Sequence, residues 1–67
     1  MATKILEAIK KIIAKKESAG EAFACAHSVE VARILKMNAK EVEIIAQTIE
    51  GITTHLTING AYYETES

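Results

Sequence analysis

The tail of the chain carries its tightest constraint. Asn59 and Gly60 stand between residues 52–58 and 61–65, two stretches in which apolar and polar side chains alternate. Asn-Gly is the pair most favoured in a two-residue type I′ hairpin turn, because both central positions take a positive φ. Such a turn fixes the register of an antiparallel ribbon. Ile58 then faces Ala61, Leu56 faces Tyr63 and Thr54 faces Thr65. On the reverse side His55 meets Glu64 and Thr57 meets Tyr62. One face is apolar and the other polar, as a half-buried hairpin requires.

A lone hairpin is marginal in water, so this one needs a partner surface. The upstream sequence offers it as helices. Ile5, Leu6, Ile9, Ile12 and Ile13 recur at helical spacing and predict an amphipathic helix over 3–16. Lys4, Glu7, Lys11 and Lys15 fall on its other side, and Gly20 closes it. Residues 21–27 suit either a short extended segment against the hairpin, near 22–26, or a backward extension of the next helix. The extended form is preferred. Ser28 reads as an N-cap for a second helix over 29–36, with Val31, Ala32 and Leu35 on its core face. Met37 and Asn38 make a tight turn. Asn38 followed by Glu41 resembles a capping box and starts a third helix over 39–50. Its core face is Val42, Ile45, Ala46 and Ile49, and Gly51 is its stop.

The result is one α+β domain over 1–67, with three helices and a C-terminal hairpin. Aromatic residues are only 4% of the chain, so the core must be built from Ile, Leu, Val and Ala. Cys25 is the only cysteine, which rules out a disulfide within the chain and suits a reducing compartment. The N-terminal segment is charged throughout, and no stretch approaches the roughly 18 apolar residues of a membrane span. A cytoplasmic location is expected. Glu64 and Glu66 make a polar end that is expected to fray.

The order of helix, short segment, helix, tight turn, helix and hairpin resembles a winged helix-turn-helix domain. The residues that carry the resemblance are Val31-Ala32, Leu35, Met37, Val42 and Ile49, followed by Gly51 and Ile52 where the wing opens. It covers about residues 3–65. Gly51 arrives about two residues early for the pattern. The outward face of the third helix is also unusual, with Lys40, Glu43, Ile44 and Gln47 on it and Thr48 at its edge. The resemblance implies a DNA-binding or transcription-associated domain whose third helix enters the major groove. Lys40, Gln47 and Thr48 would then touch base edges or nearby phosphates. Lys15, Lys16 and Lys36 would touch the backbone, and Asn59 at the wing tip would reach the minor groove. Double-stranded DNA is the implied partner, bound by a dimer, because one such module offers little area.

The charge balance points the other way. A formal net charge of −1 is a poor electrostatic start for DNA, and Glu43 would meet phosphates unfavourably. The competing reading is a protein-interaction or dimerisation module on the same scaffold. Ile44 is its main support, since an apolar β-branched residue opposite a core stripe suits a protein contact, a thymine methyl group or a scattered surface position. Tyr62, on the outward side of the returning strand, is the second candidate contact.

Cys25, His27 and His55 offer three metal-ligand types, where a structural zinc site takes four at tighter spacing. No metal or cofactor is expected. Cys25 reads instead as a small buried hydrophobe. No glycine elbow, oxyanion loop or phosphate-binding loop accompanies the serines and histidines, so neither catalysis nor a small-molecule substrate is expected.

Overall fold

A computed structural model describes residues 2–65. Its elements run α1 (Ala2–Ser18), β1 (Ala26–His27), α2 (Ser28–Leu35), α3 (Ala39–Ala46), β2 (Ile52–Thr57) and β3 (Gly60–Thr65). Glu66 lies outside the described residues. Three helices pack beside a three-stranded antiparallel sheet of order β1-β3-β2. This is a small α+β domain.

Helix α1 buries Ile5, Ala8, Ile9, Ile12 and Ile13, and Leu6 stands at the margin of that stripe. Its end is a Schellman cap. Gly20 takes φ +89°, its N–H donates to the Glu17 carbonyl at 3.0 Å, and the Glu21 N–H donates to the Lys16 carbonyl at 3.2 Å. Residues 21–25 then run irregularly to β1, so the segment before α2 is not helical, and only its last two residues pair in the sheet.

The cap of α2 differs from expectation. His27 is the N-cap, and its backbone N–H donates to Glu30 Oε1 at 3.1 Å. Ser28 is the first residue of the helix and is buried, its Oγ donating to Glu43 Oε2 at 3.2 Å. Its hydroxyl is engaged by tertiary structure instead of by the helix end. At the other end Lys36 takes φ 54° in the left-handed region, and the Met37 N–H donates to the Ala32 carbonyl at 2.9 Å.

Asn38 caps α3 as expected, its Oδ1 accepting from the Lys40 N–H at 2.8 Å. The helix ends at Ala46, four residues short of the expected 39–50. Tighter turns follow, with Thr48 and Ile49 donating to the carbonyls of Ile45 and Ala46. The Thr48 hydroxyl also takes the Ile45 carbonyl at 2.7 Å, a local bond that competes with the helical ladder.

The hairpin forms, but its turn sits one residue earlier than Asn59-Gly60. Thr57 pairs with Gly60, and Ile58 and Asn59 are the loop. Thr57 Oγ1 explains the shift: it donates to the Gly60 carbonyl at 2.9 Å and accepts from the Asn59 N–H at 3.2 Å. Gly60, at φ +126°, supplies the left-handed residue. Leu56 therefore faces Ala61, His55 faces Tyr62, and Thr54 faces Tyr63. The slip moves every partner by two, so each side chain keeps its expected face. Its cost falls on Leu56. Expected beside Tyr63 in the core, it is 73% exposed.

Under the sheet, Ala26, Ala61 and Tyr63 join the α1 stripe with Val31, Ala32, Val42 and Ala46 in one core. Leu35, Met37, Ile45, Ile49 and Ile52 pack around it.

Candidate nucleic-acid interface

Helices α2 and α3 meet across the short turn from Lys36 to Asn38, and the exposed side chains of that corner form the candidate site. Lys40 and Ile44 on α3 and Gln47 at its C-cap lie at spacings of four and three, so they share one face, and all are exposed. Thr48 and Glu41 flank them, also exposed. Glu41 stands in the first turn of α3, where a carboxylate complements the helix dipole. Ile44 is 67% exposed. Lys36 projects from the turn itself.

Glu43 does not belong to that face. It is half-buried and folds back to accept the Ser28 hydroxyl. Gly60 closes over the same spot: a Cβ added there would stand 3.3 Å from Ser28 Oγ and 3.6 Å from Glu43 Oε2. The end of the hairpin is thus seated against the start of α2 and the middle of α3. Tyr63 lies beneath, fully buried, and its hydroxyl has no hydrogen-bond partner among the described residues. Burial, and then the charge of Glu43, pushes its phenol up to about 12.

The remaining expected contacts are dispersed. Lys15 is exposed near the end of α1. Lys16 is committed inside the fold, its Nζ donating to the Cys25 carbonyl at 2.7 Å and to Glu30 Oε1 at 2.8 Å. Burial acts to raise the Glu30 pKa, but the Lys16 and His27 hydrogen bonds and the Lys16 charge outweigh it, and the carboxyl is held below its ordinary 4.5. Lys15 and Lys16 instead line a cleft of about 410 Å³ between α1 and α2, with Arg33 and Ile34 opposite. Arg33 was not singled out by sequence. Its position three residues before Lys36 was the available signal.

Asn59 is exposed at the hairpin tip beside Ile58, and no Lys or Arg occurs between residues 52 and 65. On the outer face of the sheet Tyr62 is half-buried between two histidines. Its ring stacks on His55 at 4.7 Å, with planes 12° apart, and tilts against His27 at 5.8 Å. Cys25 Sγ stands 4.0 Å from His27 Nε2, and His55 Nε2 stands 3.8 Å from Glu64 Oε2, a diagonal contact. Tyr62 thus separates His55 from the Cys25–His27 pair. Cys25 is half-buried, on the polar side of the sheet.

The chain matches no known protein family, no curated protein and no solved structure. No helix among the described residues is long and apolar enough to cross a membrane.

Proposed function

We propose that this chain is a small, non-catalytic, cytoplasmic DNA-binding domain of winged-helix type, with α2, the turn and α3 as its reading unit. One observation carries the reading: Lys36 holds a left-handed backbone at the turn, the only residue besides glycine to do so among the described residues. A lysine there costs about 1 kcal/mol or more of backbone strain that glycine would not. Strain of this kind gathers at functional positions. In this reading the Lys36 ammonium and its neighbour Lys40 neutralise phosphates, while Gln47 and Thr48 reach base edges. Glu43, the main electrostatic objection in the sequence, is turned away to Ser28. Lys15 on α1 and Asn59 at the hairpin tip would be outlying contacts, separate from this unit. Lys16 contributes no phosphate contact, because its charge is paired internally.

The second reading, a protein-interaction module, is favoured by a different observation. Ile44 is exposed in the middle of the same face, and the hairpin offers no cation to a phosphate. A mobility-shift titration on mixed-sequence duplex DNA at several salt concentrations decides between them. DNA binding predicts micromolar affinity at low salt, falling with a log–log slope of about −3 if three to four phosphates are neutralised. Lys40→Glu should weaken it at least tenfold. Absence of binding at low salt removes the first reading. Loss of a partner on Ile44→Lys then tests the second.

A further inference from the structure

Strand β2 forms one edge of the sheet. Among the described residues its backbone bonds to no segment but β3. Natural sheets guard such edges with lysine, proline, a bulge or a covering element, because open N–H and C=O groups template further pairing. Ile52–Thr57 carries none of these residues. It reads Ile, Thr, Thr, His, Leu, Thr, a composition of high β-propensity with no Lys, Arg, Asp, Glu or Pro. At its turn end Leu56 is 73% exposed and Ile58 103% exposed. The opposite edge differs: β1 has two residues and runs directly into α2. The unguarded edge is therefore confined to β2.

We infer that β2 pairs antiparallel with β2 of a second copy of this chain, joining two three-stranded sheets into one of six strands. Strand chemistry selects this occupant. An uncharged strand laid antiparallel on itself about a two-fold axis opposes no like charges, and each half satisfies the other's open backbone groups. A basic or acidic partner strand would find no complement on it. With the axis at Thr54, Leu56 lies across from Ile52 of the second copy on the same face of the joined sheet, so the exposed leucine gains an apolar cross-strand neighbour. The inference goes beyond the DNA reading and does not require it, though a two-fold pair would present two α3 helices to two half-sites.

The test is light scattering behind size exclusion at about 100 µM chain, well above a micromolar Kd. The expected mass is twice that of the chain. Thr53→Lys/Leu56→Lys places guarding charges on the edge and should return the monomer mass with an unchanged far-ultraviolet circular dichroism spectrum. An independent measurement does not rely on that variant. A nitroxide on Thr53→Cys, in a Cys25→Ser background, should show dipolar broadening that disappears on dilution with unlabelled chain, because paired strands lie about 5 Å apart. The same label on Lys10→Cys, on the outer side of α1, should give a sharp spectrum. A monomeric mass overturns the inference, as does a folded double-lysine variant that stays dimeric or a sharp spectrum from position 53. Scattering and mobility shift are separate readouts, so failure of the dimer and failure of DNA binding are told apart.

Discussion

Replacing Tyr63 by Phe isolates the one fully buried hydroxyl that lacks a partner among the described residues. The ring packs in the core and is kept, so the variant changes one oxygen atom. A hydroxyl moved from water into an apolar site without a hydrogen bond costs about 1–3 kcal/mol. Tyr63→Phe should therefore stabilise the domain at neutral pH by about 1 kcal/mol, after the lost packing of that oxygen is discounted. For a domain of this size that raises Tm by about 4–8 °C. The pH dependence gives a second, sharper readout. Burial and the Glu43 charge lift the Tyr63 phenol from 10.0 to about 12 in the folded state. Above the unfolded-state value the unfolded chain loses this proton while the folded chain keeps it. Wild-type stability therefore falls as pH rises from the lower value through the upper one, by about 2–3 kcal/mol over the two units. Tyr63→Phe lacks this loss. Every other ionisable group is common to both proteins, so the difference between their urea-derived stabilities from neutral to alkaline pH reports Tyr63. A variant less stable than wild type at neutral pH, or parallel alkaline limbs, would refute the reasoning.

Three further perturbations test other joints. Gly60→Ala puts a Cβ 3.3 Å from Ser28 Oγ on a backbone at φ +126°, and should cost about 1–2 kcal/mol in urea unfolding; an unchanged midpoint would mean the hairpin is not seated there. Lys36→Gly relieves the left-handed strain and should stabilise by about 1 kcal/mol while weakening duplex binding, opposite signs that a purely structural lysine would not give. Glu30→Gln removes a carboxylate whose pKa is lowered on folding, so the wild-type advantage should be present above 4.5 and vanish as pH falls through the lower folded value. Because the Lys16–Glu30 pair is partly exposed, that advantage should be about 1 kcal/mol or less, and a constant difference at all pH values would contradict the assignment.

The order of elements was legible in the sequence because each rests on short-range physics. The α1 stripe follows from isoleucines at helical spacing, the start of α3 from the Asn38 cap, and the hairpin from alternation about a turn. The faces of β2 and β3 were legible for the same reason, since a shift of two preserves parity. Register itself was not, because the Thr57 hydroxyl competes for the turn and its bonds exist only once the ribbon has closed. The candidate site divides along the same line. Helical period alone exposes Lys40, Ile44 and Gln47. That Glu43 leaves their face, and that Lys16 is spent on Glu30 and the Cys25 carbonyl, depends on contacts between residues 15, 14 and 9 positions apart. Such pairings carry no periodic signal, so only the packed helices and sheet decide which charges of this chain remain free.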